Sequence, residues 1–435
     1  MEHSLYVDEG RMEPLQIGIL AALTPSDIDV AFYDDRMEEI LYDAQTDLVA
    51  ITVEIFTARR AYEIADEFRK RGVPVVLGGI HVHFMPEETA LHADSIVIGD
   101  AESIWKELIA DFKNHCLKPS YQGNQPRIPQ EGIITRRALF EKKGYLPITL
   151  LQFSRGCEYG CNFCASSAYF DQKHYTRKIE EVIDEIKSQK RKLLFFVDDN
   201  IICNFEKAKE LFRALIPLKI RWVSQASINM LEDKELMNLM VKSGCIGHVI
   251  GFESINEDSL QSANKKINLK KSFDKYKDVI TQLRDYGLQT WAAFTLGYDW
   301  DTVESIRETC NFAIENKFCF AAFNILMPYP KTKFYQKLQQ ENRLLYDGKW
   351  WLHPEYRFNC ASFVPKNMPA DVLTSVTFEC RKKFNGLTSF FSRAFEFKTN
   401  MRTPYHFLTY LTYNPLFRKE VFKKQGLFLG KENHR

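Results

Sequence analysis

Residues 155–164 read RGCEYGCNFC and place Cys157, Cys161 and Cys164 in the spacing C-x3-C-x2-C. The run directly follows a strand-like stretch, ITLLQF at residues 148–153. Single buried cysteines pack like small apolar residues, but three in one glycine-flanked loop are typical of a soft-metal site. Zinc normally takes a fourth Cys or His from a recognisable pair, which the neighbouring sequence does not offer. Thiolates also hold iron–sulfur clusters, and three of them would leave one iron with an open position.

The region around this run alternates strand-like and helix-like patterns. Its strand-like stretches are residues 148–153, 193–197, 220–224, 248–252, 290–295 and 321–326. Six strand–helix units predict a partial (β/α)6 barrel over residues 147–345. In a barrel, polar residues just past the strands tend to take part in chemistry.

Residues 1–115 show a separate alternating series, with strand-like runs at 28–33, 47–53, 73–79 and 94–99. Alternation of this kind predicts a doubly wound, Rossmann-like parallel sheet, whose ligands bind at the carboxyl ends of the strands. Thr52, Gly78 and Gly79 lie at such ends. Residues 116–146 hold several Pro and Gly without clear periodicity and are expected to form a linker.

Residues 346–435 lack this alternation and should form a mainly helical C-terminal subdomain. The last part, residues 381–435, holds 12 Lys or Arg, 3 Asp or Glu, and 12 Phe or Tyr. Lys382, Lys383, Arg393, Lys398 and Arg402 are interleaved with aromatic residues. Such a segment suits a cap over an apolar substrate or contact with anionic lipid headgroups, although ordinary packing on the barrel would also explain it.

The composition limits the class of protein. The chain has 435 residues, is 45% hydrophobic and carries a net charge of +1, which argues against general nucleic-acid binding. Ten cysteines with irregular spacing indicate a reducing, cytoplasmic compartment rather than a disulfide scaffold. We expect no secretory signal and no spanning helix, and thus a protein that is soluble or at most peripheral to a membrane.

The cysteine run, with the aromatic Phe163 just before its last cysteine, resembles the signature of the radical S-adenosylmethionine (radical SAM) superfamily. The resemblance implies a [4Fe–4S] cluster whose open iron chelates the amino and carboxylate groups of S-adenosylmethionine. One electron from the cluster would cleave that molecule to methionine and a 5′-deoxyadenosyl radical. A one-electron donor such as flavodoxin or ferredoxin would supply the electron.

Further residues resemble the family's cofactor-binding positions. They are Gly251 and Glu253 near the methionine end, Ser224, Gln225 and Ser227 at the ribose, and Arg177 after the cluster loop. Each also has an ordinary explanation, such as a solvated strand-end carboxylate for Glu253 or a first-turn charge for Arg177. The run Asp198-Asp199-Asn200 resembles a strand end of the superfamily, and a helix N-cap is the alternative.

The region from about Pro14 to Trp105 resembles the cobalamin-binding domain of cobalamin-dependent radical enzymes. The resemblance implies that the corrinoid contacts strand ends, with Thr52 and Thr57 as hydrogen-bonding partners. Gly78 and Gly79 would let the backbone approach the ligand closely. The sequence departs from that domain twice: it has no D-x-H-x-x-G run, and only SLYV at residues 4–7 is available for the usual first strand. His81 and His83 are more typical of a polar loop than of a metal site.

Three functional hypotheses follow from these patterns. The first is a cobalamin-dependent radical enzyme that methylates an unactivated carbon of a hydrophobic or tetrapyrrole-like small molecule. The second keeps the radical chemistry without cobalamin and catalyses a rearrangement, a cyclisation or carbon–carbon bond formation. The third is a non-catalytic iron–sulfur redox protein, disfavoured because such a carrier needs no cofactor pocket around Ser227 and Glu253. Methylthiolation of tRNA is disfavoured by the balanced charge.

Overall fold

The computed structural model describes residues 11–125, 127–269 and 273–430, with only the backbone for residues 273–275. These residues form two compact units. One contains Arg11–Tyr145, Lys349–Phe358 and residues 428–430, and the other contains Leu146–Gly348 and Asn359–Leu427. The C-terminal region therefore contributes to both units.

The first unit is built on a four-stranded parallel sheet, in which the strands pair in chain order. The strands are β1 (Val49–Thr52), β2 (Val75–Gly78), β3 (Ser95–Ile98) and β4 (Ser120–Gln122). The helices are α1 (Leu15–Leu23), α2 (Ala58–Lys70), α3 (Ile80–Phe84), α4 (Pro86–Thr89) and α5 (Trp105–Lys113). Most residues of β2 and β3 are buried, as expected for the central strands of a parallel sheet. The Rossmann-like architecture predicted from the sequence is confirmed.

Two local predictions in this unit are wrong. Residues 28–33 form no strand. Phe32 instead packs edge-on against Phe140 at 5.7 Å, and Ile28 packs against the core of the unit without joining the sheet. The expected linker, residues 116–146, contains β4, whose Tyr121 is buried in the core of the unit. The candidate first strand at residues 4–7 lies outside the described residues.

The second unit is built on a six-stranded parallel sheet in the order β12–β11–β10–β9–β8–β5. Its strands are β5 (Thr149–Leu151), β8 (Leu193–Phe196), β9 (Arg221–Ala226), β10 (Cys245–Glu253), β11 (Gln289–Leu296) and β12 (Phe320–Ile325). A separate antiparallel hairpin consists of β6 (Ser154–Gly156) and β7 (His174–Thr176). The sequence predicted all six parallel strands but not the hairpin.

Helices cover this sheet and complete the unit. Those within the strand series are α6 (Ala165–Tyr169), α7 (Ile179–Lys187), α8 (Phe205–Leu215), α9 (Lys234–Lys242), α10 (Glu257–Ser262), α11 (Lys266–Leu269), α12 (Phe273–Asp285) and α13 (Val303–Glu315). Those after it are α14 (Lys333–Gln340), α15 (Ala370–Phe384), α16 (Leu387–Ala394) and α17 (Pro404–Lys424). Trp222, Phe252 and Phe294 lie in one continuous core with residues of these helices. The helical C-terminal region is as predicted.

The last two helices pack at the amino ends of the barrel strands. Arg221, the first residue of β9, stacks its guanidinium on Tyr405 of α17 at 4.0 Å. Phe320, the first residue of β12, contacts Phe417 of α17 at 5.1 Å. The buried Arg393 of α16 donates to the carbonyl of Cys319 at 2.9 Å. The interpretation of these helices as a cap over substrate is therefore wrong, because ligands of such folds bind at the carboxyl ends.

None of the helices in the described part of the chain combines the length and apolarity needed to cross a bilayer.

Candidate functional site

The three motif cysteines lie in the loop that connects the strands of the hairpin. Cys157 directly follows β6, and Cys164 precedes α6. Gly156 has a φ of +79°, and a Cβ there would lie 2.1 Å from the carbonyl oxygen of Lys173, the residue just before the returning strand. Only glycine fits such a position, so the start of the loop depends on this residue.

Two consecutive aspartates after β8 fix the ends of the cluster loop. Asp199 accepts a hydrogen bond from the backbone N–H of Gly156 at 2.8 Å and another from the hydroxyl of Ser166. Asp198 accepts from the backbone N–H groups of Phe153 and Ser154. Burial raises the pKa of Asp198 to about 7.

The alternative role of this acidic run, a helix N-cap, is wrong. The N-cap of α8 is Asn204, whose side chain accepts from the backbone N–H of Lys207.

The turn after α10 holds the middle of the loop. The backbone N–H of Asn162 donates to the carbonyl of Ala263 at 3.0 Å, and its side-chain amide donates to Ser262 O at 2.7 Å. The side chain of Asn264 donates to the carbonyl of Gly160 at 2.7 Å. The loop is therefore shaped by the protein itself and presents its thiols on an ordered backbone.

All three motif thiols are partly buried, and their pKa values lie above the usual range. Burial raises the pKa of Cys161 to about 11 and also raises that of Cys164. The pKa of Cys157 is raised first by a hydrogen bond with Cys203 and then by burial. Metal coordination deprotonates such thiols outright, so these values do not prevent binding.

In the described residues, no three Cys, His, Asp or Glu side chains converge on one ion. A [4Fe–4S] cluster does not require such convergence, because each thiolate binds a different iron. Three thiols on one preformed loop therefore fit the cluster that the signature implies.

An ion pair lies beside the cluster loop at the carboxyl end of β10. Lys265 Nζ and Glu253 Oε1 are 2.8 Å apart, and the Glu253 side chain is almost entirely buried. Burial alone would lower the pKa of Lys265, but the carboxylate of Glu253 and the thiol of Cys161 raise it above its usual value. A Cβ at Gly251 would lie 2.2 Å from Glu253 Oε1, so this glycine leaves the space that the carboxylate occupies.

The backbone at Glu253 is also unusual. Its φ is +64°, and the register of β10 with β11 shifts at this point. Non-glycine residues in this conformation cost about 1 kcal/mol or more and are concentrated at functional sites. The strand therefore bends where the carboxylate turns towards Lys265.

A second polar group links neighbouring strand ends to the loop. The side chain of Asn200 donates to Ser227 Oγ at 3.0 Å, Ser227 Oγ donates to Asn229 Oδ1 at 2.6 Å, and Asn229 donates to the hydroxyl of Tyr159 at 3.2 Å. The side-chain oxygen of Asn200 is buried and has no hydrogen-bond partner among the described residues. An unsatisfied acceptor beside a serine hydroxyl suits a ligand hydroxyl such as that of a ribose.

The other residues predicted to contact S-adenosylmethionine are placed differently. Ser224 is buried and donates to the carbonyl of Phe196 at 2.9 Å, whereas the neighbouring Gln225 is exposed on the opposite face. Arg177 is paired with the buried Glu185 at 2.8 Å. Phe163 packs against the barrel core. The structure thus places Ser227, Gly251 and Glu253 at strand ends near the loop. Ser224 and Arg177 instead bond to other groups of the protein.

In the first unit, the two glycines at the end of β2 differ in character. Gly79 has a φ of +111°, and a Cβ there would lie 2.7 Å from the carbonyl oxygen of Val53, so the fold itself requires this glycine. A Cβ at Gly78 would meet only Val97, at an ordinary 3.6 Å. Thr52 ends the adjacent strand β1, and Thr57 is occupied by hydrogen bonds with Glu54. Gly78 and Thr52 are therefore the residues here that fit close approach of a ligand.

The two histidines of this unit have internal partners. His81 is fully buried, and its Nε2 lies 3.1 Å from Tyr62 Oη and 3.2 Å from Glu88 Oε1. His83 lies 3.2 Å from the guanidinium of Arg127. These contacts occupy Nε2 of His81 and the ring of His83.

Sequence reasoning missed several residues of the site. Lys265 and Asn264 lie in the polar stretch SANKK, which alone indicates only a solvated turn. Cys203 and Asn229 belong to no recognisable spacing. Their roles arise from contacts that only the folded chain brings together.

Comparisons with known proteins agree with these features. The model of the radical SAM superfamily matches residues 151–313, and the model of the B12 binding domain matches residues 8–109.

Two relatives come from Chlorobaculum tepidum. A bacteriochlorophyllide d C-8(2)-methyltransferase is 32% identical, covering 77% of this chain and 78% of the relative. A bacteriochlorophyllide d C-12(1)-methyltransferase is 29% identical, covering 85% and 82%.

The fold also resembles that of a solved radical SAM methyltransferase, TsrM from Kitasatospora setae, with cobalamin and a [4Fe–4S] cluster bound. The TM-score is 0.61 at 17% identity, and the match covers 76% of this chain and 72% of that one. Together, the two domain matches, the cysteine loop and the relatives show that the chain is an enzyme of the radical SAM superfamily, belonging to the members that carry a B12-binding domain and use cobalamin beside the [4Fe–4S] cluster and S-adenosylmethionine.

Proposed function

We propose that the enzyme transfers a methyl group to an unactivated carbon of a hydrophobic small molecule, such as a tetrapyrrole. The observation that carries this proposal is the presence of both cofactor domains in one chain whose relatives are methyltransferases of bacteriochlorophyllide d. The cofactors supply the radical and the methyl group when bound, and the protein supplies binding and orientation.

The proposal assigns cofactors to the two parts of the chain. Residues 1–115 would hold the corrinoid, with Thr52 and Gly78 against it. Residues 147–345 would hold the cluster on Cys157, Cys161 and Cys164. Residues 116–146 would connect the two parts, although they also contribute β4 to the first sheet.

In the barrel, the chain's own charges suit the ends of S-adenosylmethionine. Glu253 would accept from its amino group, and Lys265 would donate to its carboxylate, since opposite charges pair strongly in a buried site. Ser227 and the unpartnered oxygen of Asn200 would bind the ribose. Ser224, Gln225, Phe163 and Arg177 would then support this site rather than all contact the ligand. The electron would come from a small donor such as flavodoxin or ferredoxin.

The first test is retention of cobalamin. Anaerobically reconstituted protein is offered hydroxocobalamin and desalted, and the visible spectrum is recorded. We expect stoichiometric retention of cobalamin in the wild type and loss of retention in Gly78→Ala. The fold itself has room for the added methyl group, but that group would occupy space needed by a bound corrinoid. No retention by the wild type with an intact cluster would overturn the cobalamin-dependent function.

The second test reads the reaction itself. The holoenzyme is incubated with bacteriochlorophyllide d as a probe, a reductant and S-adenosylmethionine that carries a deuterated methyl group. Transfer predicts a product that contains the labelled methyl group, with 5′-deoxyadenosine and S-adenosylhomocysteine in equal amounts. A modified product without the label would instead favour rearrangement, cyclisation or carbon–carbon bond formation.

Peripheral contact with a membrane through the C-terminal region is part of this proposal. Hydrophobic substrates partition into membranes, so an enzyme at the surface would meet them at higher concentration.

A further inference from the structure

The second carboxylate oxygen of Glu253 has a partner of its own. Glu253 Oε1 faces Lys265, whereas Glu253 Oε2 accepts a hydrogen bond from the hydroxyl of Thr295 at 3.4 Å. Thr295 is the penultimate residue of β11, the strand that pairs with β10. The carboxylate is therefore held at both of its oxygens, by a cation and by a hydroxyl on the neighbouring strand.

The hydroxyl of Thr295 is itself oriented by Tyr298. Their side-chain oxygens lie 2.5 Å apart. Threonine has one hydroxyl proton, which points to Glu253, so Tyr298 must be the donor in its bond with Thr295. Burial and the nearby carboxylate of Glu253 raise the pKa of Tyr298 well above its usual value, so the phenol keeps the proton that it donates.

The backbone after β11 holds Tyr298 in place. The N–H groups of Gly297 and Tyr298 donate to Asp301 Oδ2 at 2.7 and 3.0 Å. Gly297 has a φ of +104°, a conformation that favours glycine at this turn. Tyr298 is also buried, so its ring has little freedom to move.

We propose that Thr295 and Tyr298 are positioning residues for S-adenosylmethionine, which act by fixing the carboxylate of Glu253. Two hydrogen bonds in series would prevent this carboxylate from rotating away from the amino group of the ligand. A carboxylate oxygen accepts more than one hydrogen bond, so the bond from Thr295 leaves Oε2 able to accept from that amino group. The inference rests on the contact between Glu253 and the cofactor proposed above.

Substitutions that remove single hydroxyl groups test the positioning role. Formation of 5′-deoxyadenosine by the reconstituted holoenzyme is followed against the concentration of S-adenosylmethionine. We expect KM to rise roughly tenfold in Thr295→Val, about the effect of one hydrogen bond to a charged group, with kcat little changed. Tyr298→Phe should raise KM by a smaller factor, and Thr295→Ser, which keeps the hydroxyl, should resemble the wild type. Iron content and retention of hydroxocobalamin should be unchanged in all three variants.

A double-mutant cycle separates positioning from packing. Tyr298→Phe should raise KM in the wild-type background but not in Thr295→Val, because Tyr298 acts on the carboxylate only through Thr295. A contribution to packing alone would instead be similar in both backgrounds. Tyr298→Phe and Thr295→Ser remain a usable pair if Thr295→Val does not fold, since each changes a side chain by one atom or group.

Glu253→Gln distinguishes failure of this inference from failure of the cofactor assignment. If Glu253→Gln raises KM but Thr295→Val and Tyr298→Phe do not, the cofactor contact stands and the positioning role is overturned. Additive effects of Thr295→Val and Tyr298→Phe would also overturn it. If Glu253→Gln leaves KM unchanged as well, the assignment of Glu253 to the cofactor fails, and the positioning role fails with it.

Discussion

Replacing Gly251 by alanine should damage the binding of S-adenosylmethionine while leaving the cluster in place. The new Cβ would lie 2.2 Å from Glu253 Oε1 and 3.1 Å from Lys265 Nζ, whereas ordinary contacts begin at 3.4 Å. The carboxylate must therefore move by at least about 1.2 Å, the difference between 3.4 and 2.2 Å. A misplacement of about 1 Å can cost roughly 100-fold in rate.

The assay compares reductive cleavage with cluster content. Formation of 5′-deoxyadenosine is followed at several concentrations of S-adenosylmethionine, and kcat/KM should fall by roughly 100-fold in Gly251→Ala. Iron and sulfide content and the retention of hydroxocobalamin should match the wild type. Gly78→Ala is the converse control, with normal cleavage and impaired corrinoid binding. Normal cleavage by Gly251→Ala would refute the assignment of Glu253 to the cofactor site.

Other substitutions test the remaining contacts. Lys265→Met should lower the free energy of unfolding by about 3 kcal/mol and weaken binding of S-adenosylmethionine, because Glu253 is left buried without its cation. Lys265→Arg should recover part of the stability, measured by urea titration, and part of the binding, measured by calorimetry. Cys203→Ser should keep full iron content while Cys157→Ser loses it, since Cys203 contacts a ligand of the cluster rather than acting as one; iron loss in both variants would contradict this view. Glu88→Gln should lower the free energy of unfolding by about 1 to 2 kcal/mol at pH 7, after a discount for solvent screening.

The stabilisation that Glu88 provides should depend on pH in a defined direction. Burial opposes its ionisation, but hydrogen bonds from His81, Trp351 and Lys349 outweigh burial and hold its pKa at about 2. A depressed pKa stabilises the folded state above the ordinary value of 4.5, and this contribution is lost as the pH falls towards 2. The difference between wild type and Glu88→Gln in denaturant titrations should therefore shrink below about pH 4.5. A difference independent of pH would show that lost packing, not charge, is responsible.

The regular parts of the fold were predictable because hydrophobic periodicity is a local signal. The six barrel strands were each recognisable as short apolar runs between amphipathic helices, and the cysteine triplet is specific by its spacing. The apolar run at residues 28–33 indicates a strand, but its Phe32 packs against Phe140 instead of lying in a sheet. A run of apolar residues does not by itself indicate which neighbouring element will bury it.

The finer parts of the site required tertiary contacts. Lys265 is twelve residues from Glu253 in sequence, and nothing in SANKK indicates that its ammonium reaches that carboxylate. Asp199 belongs to a recognisable acidic run, but its hydrogen bond to Gly156 spans 43 residues of sequence. Arg393 lies among the cations that the sequence interleaves with aromatic residues, yet it is buried among backbone carbonyls. Charge alone does not reveal whether a side chain faces water or the protein.

The bonds that shape the cluster loop have a consequence for handling the enzyme. Because Asp199 and the turn at residues 262–264 order the loop without metal, the protein lacking a cluster keeps its thiols gathered and accessible. Cys157 and Cys203 are then neighbours, and dioxygen would oxidise them to a disulfide. Preparations purified in air should therefore accept iron and sulfide only after treatment with a thiol reductant, although their backbone remains native.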